Sequence, residues 1–190
     1  MTQLVLHPTP EAQWQALVSE AALVADCRLD QDMESYLVFL LMRFTSRPEM
    51  AERVMALDYL ESLNSTGSQR YDQLRDVGDQ CLLYSGLFPA HARRKRVSID
   101  YYVGMGRTAY HQLSEVMQHS VALLYQQIAQ GFIHLMDVLH AIRAMDKEQQ
   151  LEPILAYDLW EKTGSRFAGK IMHEKTGNPV FISRSIKISH

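Results

Sequence analysis

Tyr110-His-Gln-Leu-Ser-Glu-Val-Met-Gln-His-Ser-Val-Ala-Leu-Leu-Tyr-Gln-Gln-Ile128 is the stretch that decides the fold class. Tyr110, Leu113, Met117, Val121, Leu124 and Ile128 recur at about 100° per residue and fall on one narrow apolar stripe. The spacing predicts one long helix over residues 107–129, with a break at Gly131. Toward the C-terminus, Phe132, Leu135, Met136, Leu139 and Ile142 form the face of a further helix. Pro153 opens another, which carries Tyr157 and Trp160 and ends near Gly164, and Ser165 is placed to cap a short helix to about Lys175. Gly177-Asn178-Pro179 is a firm stop. Residues 180–190 alternate apolar and polar (Val180, Ile182, Ile186, Ile188), and a lone strand has no partner, so they read as a short extended or mobile C-terminal tail.

Toward the N-terminus, Thr9 caps and Pro10 opens a first helix whose face is Trp14, Leu17, Val18, Ala21 and Ala25. Asp30 caps a second helix to about Phe44. Its centre, Tyr36-Leu-Val-Phe-Leu-Leu-Met42, is apolar all round and predicts a position in the middle of the molecule. Pro48 and Glu49 open a third helix with Met50, Val54, Leu57 and Leu60 on one face. Asn64-Ser-Thr-Gly-Ser68 is a loop by composition, and a fourth helix follows from about Gln69 to Ser85. The expectation is an all-α, single-domain irregular bundle of about seven helices over residues 1–179. The second helix is placed at its centre, the 107–129 helix is a second core element, and residues 180–190 are the tail.

The bulk properties agree with one folded domain. A chain of 190 residues with 47% apolar and 22% charged residues can bury a full core. Cys27 and Cys81 lie too far apart for a metal or redox motif and read as buried thiols in a reducing compartment. Met1–Pro10 shows no basic stretch followed by an apolar run, so no secretory signal is read there. The longest apolar run, Tyr36–Met42, falls far short of the roughly 20 residues that span a bilayer. The expected location is cytoplasmic, with no membrane role. A net charge of −3 argues against a dedicated nucleic-acid binder.

Three clusters carry ligating or catalytic residue types. His111, Glu115 and His119, four apart, share one helical face and suit zinc or iron, but on the 107–129 helix they lie well off the apolar stripe, as a solvated face would. His134, Asp137, His140 and Arg143 step by three, which separates His134 from His140 by roughly 120° and favours helix-surface pairs such as Asp137 with His140 or His134. Ser85 lacks the first glycine of a nucleophile elbow, and Cys81 has no basic neighbour in sequence to lower its pKa. None of these assigns a catalytic residue, a metal ligand or a cofactor.

The remaining candidate is the segment from Gly86 to Tyr110. It combines Gly86-Leu-Phe-Pro89, the basic run Arg93-Arg94-Lys95-Arg96, and Ser98-Ile-Asp-Tyr-Tyr-Val-Gly-Met-Gly-Arg107. Two glycines inside a helix cost about 1 kcal/mol each relative to alanine, which calls for close helix packing or an irregular stretch before the helix settles near Arg107. Ser98 can cap a helix start whose free N–H groups attract anions. Arg93, Arg94 and Arg107 add charge, and Tyr101, Tyr102 and Tyr110 add flat surface with polar tips. These seven residues are the predicted ligand-binding set. Asp100, in the first turn, competes for the anion position.

The same residues carry a resemblance. Gly78-Asp79, Leu82, Gly86-Leu-Phe-Pro89, Arg93-Arg94, Tyr101-Tyr102, Met105-Gly106 and Ala109-Tyr110, with Leu124-Tyr125, Phe132, Val138-Leu139, Tyr157, Trp160 and Gly164-Ser165 further on, resemble a family of uncharacterised bacterial all-helical proteins over roughly residues 32–179. The resemblance implies the helical fold and no catalytic residue; Lys95-Arg96 and the tail beyond Pro179 fall outside its pattern. The function expected from the sequence is non-enzymatic: a binding or adaptor protein whose surface from Arg93 to Tyr110 takes a small anionic ligand or a protein partner. A homodimer seam among exposed apolar residues is also open. The alternatives are a metal-dependent enzyme using His, Asp or Glu on the helices of 107–146, and a small nucleic-acid-binding regulator using the basic run with Arg184 and Lys187.

Overall fold

Thr9 Oγ1 accepts the Ala12 amide at 3.2 Å and Asp30 Oδ1 accepts the Met33 amide at 2.8 Å, so the first two helices begin where their capping side chains stand. The structure, a computed structural model, describes residues 9–51, 55–94, 96–146 and 149–176. Ten α-helices lie among the described residues: α1 (Pro10–Val24), α2 (Gln31–Ser46), α3 (Met55–Asn64), α4 (Gly67–Gly86), α5 (Pro89–Arg94), α6 (Ile99–Val116), α7 (His119–Gln130), α8 (Phe132–Ala144), α9 (Pro153–Thr163) and α10 (Arg166–Thr176). They form an all-α bundle with no strand among those residues. Gly131 separates α7 from α8, and Gly164 closes α9 with a left-handed φ of 72°. Pro48 opens a 3₁₀ turn to Ala51 in place of a helix continuous with α3. The side chains of Met50, Val54, Leu57 and Leu60, and the tail from Gly177 onward, lie outside the described residues.

The centre of the bundle is α4, not α2. Every residue from Val77 to Gly86 is buried, and α4 packs against α3, α6 and α8. On α2, Leu37, Val38, Leu40 and Leu41 are buried but Phe39 is 58% exposed, so its apolar run reaches solvent on one side. The physical reason is that two of its buried polar residues, Asp79 and Ser85, are bonded inside the fold. Ser85 Oγ donates to the Cys81 carbonyl at 2.8 Å, and Asp79 accepts from tyrosines on two neighbouring helices.

The long helix expected over 107–129 is broken. α6 ends at Val116, α7 begins at His119, and the two pack against each other. A straight helix of that length would run about 33 Å and carry half its stripe beyond the core. Folding back puts Tyr110, Leu113, Tyr125 and Ile128 into one core, and leaves Val121 (44%) and Leu123 (61%) exposed near the bend.

The segment Gly86–Tyr110 is mostly regular: the end of α4, then α5, a turn, and the first two-thirds of α6. Gly106 is there for close approach, since a Cβ would lie 2.6 Å from Phe132 Cε2 and 2.8 Å from Cys81 Cβ. Gly78 serves the facing helix in the same way, where a Cβ would meet Tyr110 Cε1 at 2.5 Å. No helix among the described residues is long and apolar enough to cross a membrane.

Candidate binding groove

The helical phase of α6 sorts the predicted site residues. Ile99, Tyr102, Val103, Gly106, Ala109, Tyr110 and Leu113 face inward. Tyr102 is 4% exposed and stacks on Tyr84 with ring centroids 5.5 Å apart, and Tyr110 is fully buried with its hydroxyl donating to Asp79 at 2.6 Å. Tyr101 is half exposed, Arg94 is exposed at the end of α5, and the Arg93 side chain lies outside the described residues. Ser98 is the N-cap residue of α6, but its side chain makes no capping hydrogen bond. Arg107 turns toward α7, where its Nε donates to the Ala129 carbonyl at 3.1 Å. The six whose side chains are described therefore do not converge on one point.

Two grooves flank α6. One, of about 590 Å³, runs between α6 and α7 and is lined by polar side chains including Arg107, Thr108, His111 and Gln126. The other, of about 410 Å³, lies between the α5–α6 turn and α9. Its first wall is Pro89, Arg96, Val97, Ser98 and Ile99; its second is Ile154, Leu155, Tyr157, Asp158 and Glu161 on α9. Arg96 adopts a left-handed φ of 56°, which a non-glycine residue seldom takes. Arg94 and Arg96 are exposed and make no ion pair among the described residues. Lys162 Nζ lies 2.9 Å from Asp158 and 3.9 Å from Asp100, so a surface pairing links α9 to the first turn of α6. The α9 wall follows from the pattern after Pro153, whose Ile154 (76%) and Tyr157 (47%) point away from the core residues Ala156 and Leu159. Sequence reading noted Tyr157 without placing it opposite Ser98.

The buried carboxylates are bonded into the fold. Asp79, 2% exposed, accepts from Tyr36 Oη at 2.5 Å and Tyr110 Oη at 2.6 Å and pairs with Arg43, whose guanidinium also reaches Asp76 at 3.2 Å. Burial raises the Asp79 carboxyl above the usual range, against Arg43 and the two hydroxyls, which lower it. Burial next to Asp79 pushes both phenols well up.

Asp137 and His140 are not the helix-surface pair expected from their spacing: both are buried, while His134 is exposed and Arg143 partly so. The Asp137 carboxylate accepts from Ser165 Oγ at 2.5 Å and from the Arg166 and Phe167 amides at 3.0 and 3.3 Å, capping α10 from another helix. The His140 ring stacks on Phe167 at 6.3 Å, and neither of its nitrogens has a hydrogen-bond partner among the described residues.

Burial pushes the Cys27 thiol up to about 11, with Asp137 adding to it, and raises Cys81 as well, so neither thiol is activated. His111 and Glu115 form an exposed pair at 3.6 Å. Among the described residues no group of three or more His, Cys, Asp or Glu side chains is arranged to hold a metal ion. Compared with protein-family models, with curated proteins and with solved structures, the chain matches none of them.

Proposed function

We propose that the protein is a non-enzymatic binding protein that docks a segment of a protein partner in the groove between the α5–α6 turn and α9. The observation that carries the reading is the pairing of walls: Arg96, exposed and without an ion pair among the described residues, on the turn side with exposed Arg94 nearby in sequence, and exposed Ile154 and Tyr157 on the α9 side. An extended or helical segment with an acidic residue beside aliphatic or aromatic ones would satisfy both. Asp158 and Glu161 make the α9 end of the groove acidic, so a segment basic at one end and acidic at the other is fixed in direction. Glu161 in the groove, beside Asp158 paired with Lys162, disfavours a phosphate backbone there and so favours a peptide over nucleic acid.

The test is selection from a random peptide display library against the purified protein. Enriched peptides should carry Asp or Glu next to a large apolar residue. Replacing Arg94 and Arg96 with Glu, or Ile154 and Tyr157 with Glu and Ala, should weaken their binding at least tenfold while far-UV circular dichroism stays unchanged. No enrichment, or peptides held equally by both variants, would overturn the reading.

A further inference from the structure

The α6–α7 junction joins a helical sequence to a non-helical turn. Residues 110–128 contain no Gly or Pro, and their apolar period runs unbroken through the junction. The chain nonetheless reverses over Met117 and Gln118, and His119 is held at φ 53°, a left-handed conformation that strains a non-glycine residue. No side-chain cap repairs this, because Gln118 makes no capping hydrogen bond to α7, and Gln118, His119 and Ser120 are all exposed. Val121, a member of the apolar stripe, is 44% exposed in the reversed form.

We propose that this turn is a hinge through which the chain exchanges α7–α10 with a second copy of itself. Opening it makes α6 and α7 one continuous helix, relieves His119, and lets α7–α10 pack on the α1–α6 of the other copy. The core is unchanged in the exchange. Tyr125 still meets Tyr36 and Tyr110, and Phe132 still fills the space over Gly106, now from the partner chain. Val121 and Leu123 then lie along paired straight helices at the centre of the dimer. The inference stands apart from the α5–α9 groove, which neither supports nor requires it.

The full chain is unfolded in guanidinium, refolded over a range of protein concentrations, and measured by native mass spectrometry. Expected is a dimer whose share rises with concentration during refolding and which returns slowly to monomer on dilution. Replacing Gln118 and His119 with Ala, which favours continuous helix, should raise the association constant at least tenfold; His119→Gly, which removes the strain, should lower it by a similar factor. Spin labels on Thr108→Cys and Gln126→Cys of one chain, both lining one groove in the monomer, should move to about 27 Å apart in the dimer, the length of eighteen residues of straight helix. A chain that stays monomeric even as the alanine variant, or a dimer keeping the monomer's label distance, would overturn the proposal.

Discussion

Asp79 is almost wholly buried, yet three groups from two neighbouring helices converge on it: the Tyr36 hydroxyl and Arg43 guanidinium from α2, and the Tyr110 hydroxyl from α6. Removing the carboxylate strands two phenols and most of the pairing of Arg43. Asp79→Ala should therefore cost about 3 kcal/mol, whereas Tyr110→Phe, which deletes one donor, should cost about 1 kcal/mol. Urea unfolding midpoints measure both, and an unshifted midpoint for Asp79→Ala would sink the assignment of this residue as the hub.

His140 gives a pH dependence of known sign. Burial, with Arg143 adding to it, holds its imidazole pKa down to about 3, against 6.5 for the free side chain. The unfolded chain takes up a proton below pH 6.5 that the folded chain refuses. The residue's contribution to stability is therefore whole above 6.5 and drains away as the pH falls toward 3. Burial raises the carboxyls of Asp79 and Asp137, which act in the opposite sense at the acid end, so the measurement is a difference between variants. His140→Leu should lose less stability than the parent between pH 7 and pH 5; equal losses would contradict the buried neutral imidazole. The caps by Thr9, Asp30 and Ser165 were readable because donor and acceptor are neighbours in sequence. The cap that Asp137 places on α10 was not, because its partners lie 28 to 30 residues away.

Among the elements, α4 and α6 come together through glycines. Gly106→Ala should destabilise by about 1–3 kcal/mol, since the new methyl must displace Phe132 or Cys81, while Gly104→Ala, which meets open space, should be neutral or slightly stabilising. Thermal unfolding of the two variants separates the cases; equal shifts would mean that close packing is not the reason for Gly106. Asp137→Ala should cost about 2 kcal/mol through its lost hydrogen bonds to Ser165, Arg166 and Phe167. It should also speed amide exchange in α10 more than in α4. The helical class was plain from the period of Tyr110 to Ile128, but the same period hid the reversal at Met117, because the turn obeys tertiary packing and carries no breaker residue. The centrality of α4 was hidden for the opposite reason: Asp79 and Ser85 are polar, and only their partners on other turns and helices show them to be interior.

For the whole molecule, the basic run and the α6 N-terminus were legible as a place of interest, and Ser98 does line the groove. Tyr102 and Tyr110, expected at the ligand surface, face the core instead: of close helix packing and an irregular stretch, the structure has the packing, and the spacing of Tyr102, Gly106, Ala109 and Leu113 marks an inward helical face. The α9 wall belongs to residues more than fifty positions away, which no local pattern ties to Ser98. The proposed binding surface is that groove. Its most direct measurement is a ¹⁵N chemical-shift titration of the protein with a peptide selected from the display library. The expected result is shifts concentrated at residues 96–100 and 154–161, with the α6–α7 groove silent. Shifts centred on residues 104–130, with 154–161 unmoved, would contradict it.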